Sequence, residues 1–273
     1  IGGGVIGMEF ASFFNSMGVK VKVIEMLPEI LGNMDKETST MLRSEYKKKG
    51  VEFFLNTKVT EVSAEKVFVE ENDKAGTIEA DKILVSVGRR PIIKNLGIEN
   101  LGIKTQGAGV KVNEHMQTSH PHVYAAGDIT GFSLLAHTAY REAEVAIHHI
   151  LGIPDKMSYK AIPVVVYTNP ELASVGKTEE ELVANGESFR VQKIPMTYSG
   201  RFVAENENGN GLCKLITNDE DRIIGCHLLG NPASEFIVTA GIAVKNGYTV
   251  DEFKKNIFPH PTVSEILHES LYI

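Results

Sequence analysis

A stripe of apolar residues at helical spacing follows the glycine-rich start of the chain. The stripe recurs at i, i+3, i+4 and i+7, which predicts a helix with one apolar face. It consists of Phe10, Phe13, Phe14 and Met17. Gly18 ends this helix, and valines then alternate with lysines over residues 19–23, which predicts a strand. Glu25 is therefore expected at the carboxyl end of that strand.

The next segment predicts a second helix and a group of short strands. Asp35 is a candidate N-cap for a helix that ends at Gly50, and residues 51–55 predict a strand. Short strands separated by polar turns are then expected near residues 59–62, 67–70 and 77–80. A mostly apolar strand is predicted over residues 81–87. This order indicates a βαβ unit interrupted by a small antiparallel meander and followed by a return strand.

The pattern changes after a helix that reaches Ile150 and is broken by Pro154. Residues 164–167 form an apolar run typical of a buried strand, and Thr178 opens a helix with a capping box. Further strands and a helix are expected over residues 189–194, 211–217, 222–229 and 233–246. Strands with helices at one side predict an α+β domain. The predicted fold class is α/β, with a Rossmann-like first domain that contains the meander and a C-terminal α+β domain.

Composition narrows the class of protein. The 273 residues are enough for about two domains, and 42% hydrophobic with 23% charged residues argues against disorder. A net charge of −7 disfavours a nucleic-acid binder that relies on overall positive charge. No apolar run approaches the ~20 residues of a membrane span, and no signal peptide is recognised. Two cysteines cannot form a disulfide framework, so we expect reduced thiols in a cytoplasmic protein.

The first candidate site is the glycine loop. Residues 2–7, Gly-Gly-Gly-Val-Ile-Gly, read G-x-G-x-x-G before the predicted helix. Such a loop turns tightly, lets the backbone approach a pyrophosphate and presents free N–H groups. Glu25 follows Gly2 by 23 residues, where a carboxylate accepts hydrogen bonds from ribose hydroxyls and repels a 2′-phosphate. The pattern predicts NAD rather than NADP; the alternative is a ligand-free glycine turn and a solvated glutamate.

The second candidate site is a histidine between two prolines. Imidazole titrates near neutrality, so His260 could act as an acid–base group at working pH. A carboxylate on its other ring nitrogen would fix the tautomer, and Glu265 is the candidate. The local sequence equally allows a capping box between Thr262 and Glu265, in which Glu265 only caps its helix.

The two cysteines lie in neighbouring strands of a predicted hairpin. A turn centred on Asp219 and Glu220 would place Cys213 directly opposite Cys226. A disulfide there would need demanding geometry, and buried free thiols are common. We therefore expect no catalytic role for this pair.

Several motifs in the same order resemble a known family. The glycine loop, the strand-end Glu25, residues 85–91 (Val-Ser-Val-Gly-Arg-Arg-Pro) and residues 124–128 (Tyr-Ala-Ala-Gly-Asp) are similar to the flavin-dependent pyridine nucleotide-disulfide oxidoreductases. Within that family the chain looks most like the dihydrolipoamide dehydrogenases. The segments that carry this closer likeness are residues 94–97, 134–137 and 260–262. The resemblance covers the whole chain.

The resemblance implies an activity and its partners. It implies oxidation of protein-bound dihydrolipoyl groups, with FAD and NAD as cofactors, in a homodimer. His260 would be the acid–base group and Glu265 its partner, serving the flavin site of the other subunit. The expected partners are lipoyl-bearing proteins of 2-oxoacid dehydrogenase or glycine cleavage complexes, and neither nucleic acid nor a membrane.

The resemblance also implies a set of cofactor-binding residues. Asp128 would bind the ribityl chain of FAD, and residues 134–137 would lie beside the flavin; from the residues alone, Asp128 is equally a turn cap. The full set is Gly2, Gly3, Gly4, Val5, Ile6, Gly7, Glu9, Glu25, Val59, Gly88, Asp128, Leu134, Leu135, Ala136 and His137. We expect no metal site, since the histidines of the 137–149 helix lack metal-ligand spacing with acids or thiols.

The family's flavin domain begins with its own glycine loop and a C-x-x-x-x-C redox pair, and neither motif occurs in these residues. We therefore expect a C-terminal fragment that does not turn over lipoamide by itself. The predicted domains are an NAD-binding domain over 1–118, a remnant of the FAD-binding domain over 119–157 and a dimerisation domain over 158–273. The alternatives are a glutathione or mercuric reductase and a non-catalytic NAD-binding dimer scaffold. NADPH-dependent reductases usually carry basic residues after the second strand, and residues 25–28 contain none.

Overall fold

The computed structural model describes residues 1–207 and 209–273. The chain divides into two compact units, one formed by residues 1–87 with 160–273 and the other by residues 88–159. Parallel and antiparallel sheets combined with helices confirm the predicted α/β class. The domain boundaries expected from the sequence stay a prediction.

The first part of the larger unit is a βαβ arrangement. Its elements are helix α1 (Val5–Ser16), strand β1 (Lys22–Ile24), helix α2 (Lys36–Lys48) and strand β2 (Glu52–Phe54). Strands β1 and β2 are parallel, with Val23 opposite Phe53. The side chain of Asp35 accepts a hydrogen bond from the Thr38 amide at 3.0 Å, which confirms the predicted N-cap of α2.

Helix α1 is confirmed, but its apolar stripe faces solvent in the described chain. Phe13 is 57% exposed and Met17 is 69% exposed. The helix instead buries Met8 and Ala11, which pack in one cluster with Val23 of β1. The predicted helical period was correct, but the buried side of the helix consists of Gly7, Met8 and Ala11 and not of the phenylalanine stripe.

The predicted meander is confirmed. Strands β3 (Thr57–Val62), β4 (Lys66–Glu71) and β5 (Lys74–Glu79) form an antiparallel three-stranded sheet. The strand predicted over residues 81–87 is wrong, because this segment forms no ladder. Among the described residues it pairs with Ile1, whose amino group donates to the Leu84 carbonyl and whose carbonyl accepts from the Ser86 amide, both at 2.8 Å. One partner residue is too short to define a strand.

The smaller unit, residues 88–159, is built around one long helix. Helix α3 spans Ala136–Ile150, and two-residue strands β6 (Thr105–Gln106) and β7 (Gly109–Val110) pair with each other. Met116, Val145 and Ala146 form its buried cluster. A 3₁₀ turn over Asp128–Thr130 precedes α3.

The rest of the larger unit is an antiparallel sheet with helices, as predicted. Its strands are β8 (Val164–Val166), β9 (Leu172–Gly176), β10 (Arg190–Pro195), β11 (Leu212–Thr217) and β12 (Ile223–Leu229), in the spatial order β10-β11-β12-β9-β8. Its helices are α4 (Glu179–Asn185), α5 (Gly200–Glu205), α6 (Ala233–Asn246), α7 (Val250–Lys254) and α8 (Glu265–Glu269). Ala240 and Val244 of α6 pack in the main core with Val175 of β9. The capping box predicted at Thr178 is formed.

The two cysteines are free and buried, but they do not face each other directly. Cys213 lies opposite Leu228 and Cys226 lies opposite Leu215. The expected direct pairing is wrong for two reasons: Thr217 lies opposite Ile223, so the turn is centred on Glu220, and the register shifts once more between Ile216 and Thr217. A hydrogen bond with the Cys213 thiol, together with burial, raises the pKa of the Cys226 thiol.

The described residues contain neither a membrane-spanning helix nor a cluster of metal-ligating side chains. No described helix is both long and apolar enough to cross a bilayer. Over residues 1–207 and 209–273, no group of three or more histidine, cysteine or acidic side chains is arranged to hold a metal ion.

Candidate functional site

The glycine loop turns sharply between its hydrogen bond to β1 and the start of α1. The Gly2 amide donates to the Ile24 carbonyl at 2.9 Å, and Gly2 has a φ of +98°. A Cβ atom at Gly2 would lie 2.4 Å from the Ser86 carbonyl oxygen. A Cβ atom at Gly7 would lie 2.0 Å from the Gly2 carbonyl oxygen. Both contacts are too short for any side chain, so the turn requires glycine at these positions.

The outer side of the loop is open. A Cβ atom at Gly4 would meet nothing within 4 Å. No described side chain caps α1, so the first amides of the helix, from Val5 and Ile6, point away from the helix without a capping partner. Free amides and the positive end of the helix dipole suit a phosphate group.

Glu25 is fixed beside the loop by two backbone amides. Its Oε2 atom accepts from the Gly3 amide at 2.7 Å, and its Oε1 atom accepts from the Leu27 amide at 2.8 Å. Each carboxylate oxygen keeps a further lone pair for another donor. The arrangement presents a preorganised acceptor pair next to the uncapped start of α1, which is the geometry that ribose recognition requires.

Two other residues expected at the nucleotide site have contacts of their own. Glu9 accepts a hydrogen bond from the Tyr167 amide at 2.9 Å, which ties α1 to the residue after β8. Val59 packs against the cluster that contains Ile24 and Val67. Their roles in cofactor binding stay predictions.

The structure brings His260 and Glu265 together. The Nδ1 atom of His260 lies 2.7 Å from Glu265 Oε1, while the His260 side chain is 81% exposed. Burial raises the pKa of Glu265, but hydrogen bonds from the Thr262 amide and from His260 outweigh it, so the pKa lies below its ordinary value. An ionised carboxylate on Nδ1 holds the proton there and leaves Nε2 as an acceptor directed to solvent.

Glu265 also has part of the capping role that the sequence left open. Its Oε2 atom accepts from the Thr262 amide at 2.8 Å. A full capping box would also need the Thr262 hydroxyl to accept from the Glu265 amide, and the described contacts do not include that bond. The Thr262 hydroxyl donates to the Pro259 carbonyl at 2.8 Å instead, and α8 begins at Glu265 itself. One carboxylate therefore fixes both the His260 ring and the backbone two residues later.

In the smaller unit, Asp128 lies at an exposed turn with a fixed backbone. The Gly127 amide donates to Glu142 Oε2 at 2.5 Å. The Gly127 carbonyl accepts from the Thr130 amide at 3.0 Å and from the Thr130 hydroxyl at 2.9 Å. The Asp128 side chain is exposed, so its carboxylate is accessible to a polyol.

Sequence reasoning missed Glu142. The available signal was its position on the helix, because Glu142 falls at helical spacing within the buried stripe of α3. That stripe consists of Thr138, Glu142, Val145 and Ala146. An acid in the buried stripe of an amphipathic helix needs an internal partner.

The other expected flavin-site residues lie in the same unit. Leu135 is the N-cap of α3, and Ala136 and His137 are its first two, exposed residues. Leu134 is half-buried just before them, and Gly88 is exposed with a φ of +110°. Their roles at a flavin stay predictions.

Comparison with known proteins gives two family matches. Residues 1–147 match the model of the pyridine nucleotide-disulphide oxidoreductases. Residues 162–271 match the dimerisation domain of the same proteins. The first match spans more than half of the chain.

Individual relatives agree with these matches. The chain is 38% identical to a dihydrolipoyl dehydrogenase of Bacillus subtilis, over 99% of this chain and 58% of that protein. It is 39% identical to dihydrolipoyl dehydrogenase 3 of Pseudomonas putida, over 99% of this chain and 59% of that protein. The chain thus spans under two thirds of the length of these relatives.

Solved structures show the same fold. The HOCl-induced flavoprotein disulfide reductase RclA of Escherichia coli superposes with a TM-score of 0.88 at 27% identity, covering 100% of this chain and 63% of that one. LpdA of Mycobacterium tuberculosis superposes with a TM-score of 0.88 at 28% identity, covering 99% of this chain and 60% of that one.

Proposed function

Because the chain belongs to the pyridine nucleotide-disulphide oxidoreductase family, we propose that the whole protein is a dihydrolipoyl dehydrogenase that uses NAD and FAD. The observation that carries this proposal is the contact between His260 and Glu265, which makes an exposed imidazole a base of fixed tautomer. The names of the relatives supply the substrate class, a protein-bound dihydrolipoyl group.

The nucleotide site is assigned to the glycine loop and Glu25. The open amides at the start of α1 would hold the pyrophosphate, and Gly4 leaves room for it. The fixed carboxylate of Glu25 would accept from the ribose hydroxyls. A 2′-phosphate would meet a like charge there, which is why NAD is preferred over NADP.

The flavin site is assigned to the smaller unit. Asp128 would accept hydrogen bonds from the polyol chain of FAD, with Gly88 and residues 134–137 beside the cofactor. The exposed carboxylate on a fixed turn supports this fit. The bound flavin would supply the redox chemistry that the side chains of this site lack.

The base is assigned to His260. Its Nε2 atom would take the proton from a substrate thiol, and Glu265 would stabilise the imidazolium that forms. The exposure of His260 and the dimerisation-domain match support a homodimer in which it serves the site of the other subunit. Lipoyl-bearing proteins of 2-oxoacid dehydrogenase or glycine cleavage complexes are the proposed partners, and two free thiols suit a reducing cytoplasm.

Turnover of dihydrolipoamide by the whole protein, with NAD as acceptor, tests the proposal. Replacing the base by His260→Gln should lower kcat by about 100-fold or more while NADH binding is retained. His268→Gln on α8 is the matched control and should change kcat little. Near-normal turnover of His260→Gln, or preferential use of glutathione with NADPH, would contradict the assignment.

A further inference from the structure

Helix α3 contains a carboxylate with no access to solvent. Glu142 is 0% exposed and lies on the buried face of the helix with Val145 and Ala146. Isolated charges are costly to bury and persist where hydrogen bonds satisfy them. Glu142 has two donors, the Gly127 amide at 2.5 Å and the Tyr159 hydroxyl at 2.6 Å.

The Gly127 backbone is unusual and is held from both sides. Gly127 has a φ of +81°, which side-chain-bearing residues rarely adopt, and a Cβ atom there would lie 3.2 Å from that of Ala139. Glu142 binds its amide, and the amide and hydroxyl of Thr130 bind its carbonyl. The peptide that leads into Asp128 therefore has little freedom to rotate.

Tyr159 completes the arrangement. Burial, followed by its hydrogen bond to Glu142, raises the pKa of Tyr159 well above its ordinary value. The phenol thus stays protonated at working pH and keeps donating to the carboxylate. The Tyr159 hydroxyl thus fixes the Glu142 carboxylate in the position from which it accepts a hydrogen bond from the Gly127 amide.

We propose that Glu142 is a positioning residue of the flavin site, which fixes the Gly127 amide and thereby the direction in which Asp128 presents its carboxylate to a polyol. This inference rests on the proposed assignment of Asp128 to FAD. Glu142 acts only through the backbone, so its contribution must depend on the presence of the Asp128 side chain.

A double-mutant cycle tests that dependence. FAD is titrated into the flavin-free form of the whole protein, and the dissociation constant is measured from flavin fluorescence. Glu142→Leu should weaken binding by about tenfold, whereas Glu142→Gln, which keeps an acceptor for the Gly127 amide, should retain most of it. In an Asp128→Ala background, Glu142→Leu should weaken binding no further.

Two controls separate positioning from folding. Glu144→Gln removes an exposed carboxylate of α3 that pairs with Arg141, and it should leave FAD binding unchanged. Amide exchange should show faster exchange at Gly127 in Glu142→Leu while α3 stays protected. If Glu142→Leu does not fold, Tyr159→Phe replaces it in the cycle, because it removes only the donor that orients Glu142.

The outcomes distinguish the two claims. A whole protein that binds no FAD, or one whose Asp128→Ala variant binds FAD as tightly as the wild type, overturns the flavin-site assignment and this inference with it. If Asp128→Ala weakens binding but Glu142→Leu does not, or if their effects add fully, only the positioning role of Glu142 is overturned.

Discussion

Replacing Lys214 with methionine should destabilise the larger unit strongly. The Lys214 side chain is 1% exposed, and its Nζ atom lies 2.5 Å from Asp35 Oδ2, whose side chain is 0% exposed. Glu37 is 3.2 Å from the same nitrogen, and Glu179 also contacts it. The pair joins β11 to the N-cap of α2, because Asp35 also accepts from the Thr38 amide.

The expected magnitude follows from the burial of the pair. Burial raises the pKa of Asp35, but nearby His227, the Lys214 hydrogen bond and the Thr38 amide together hold it below its ordinary value. Asp35 is therefore ionised in the fold, and Lys214→Met would leave a buried carboxylate without its cation. Breaking a buried pair in this way costs about 3–5 kcal/mol in the free energy of unfolding.

Urea denaturation at pH 7, followed by circular dichroism, measures this loss. Lys193→Met is the matched control, because Lys193 pairs with Glu37 at 2.7 Å while its side chain is 40% exposed, and it should cost about 0–1 kcal/mol. The double variant Asp35→Asn with Lys214→Met should recover part of the loss. A cost for Lys214→Met below about 1 kcal/mol, or equal to that of Lys193→Met, would refute the reasoning.

Two further predictions concern the glycine loop and acid stability. Gly7→Ala should abolish NADH binding, since its Cβ would lie 2.0 Å from the Gly2 carbonyl oxygen; isothermal titration with retained wild-type affinity would show that the turn tolerates a side chain. Burial lowers the pKa of His227 from its ordinary 6.5. Its contribution to stability is therefore complete above about pH 6.5 and falls below it, by up to about 1.4 kcal/mol per pH unit. His227→Gln should remove that part of the decline in urea denaturation between pH 7.5 and 5.5, and an identical pH dependence in both proteins would argue against it.

Local signals in the sequence predicted local structure. The cap at Asp35 and the capping box at Thr178 need only residues three positions away, and both are formed. The errors lie where distant residues decide the outcome. In the part of the chain that the structure describes, the 81–87 segment forms no ladder and pairs with Ile1. The register of the two cysteines depends on the centre of the hairpin turn and on an irregularity beside it.

In the candidate site, too, recognisable sequence patterns predicted the arrangement, and a contact without such a pattern was missed. The glycine loop and the strand-end Glu25 were predicted from spacing, and the structure places them together. For Glu265 the sequence offered a cap or a histidine partner, and the geometry shows that its two oxygens reach both groups. Glu142 was missed because its partner Gly127 lies fifteen residues away on a turn, where no local pattern connects the two.

The preference between NADH and NADPH tests the central claim most directly. Isothermal titration of the chain with each nucleotide should show NADH binding at least about tenfold more tightly, since a 2′-phosphate would meet the carboxylate of Glu25. Glu25→Gln should narrow that difference, and Glu52→Gln, an exposed change on β2, should leave it intact. Equal affinity for both nucleotides, or a preference unchanged in Glu25→Gln, would contradict the assignment of this site to NAD.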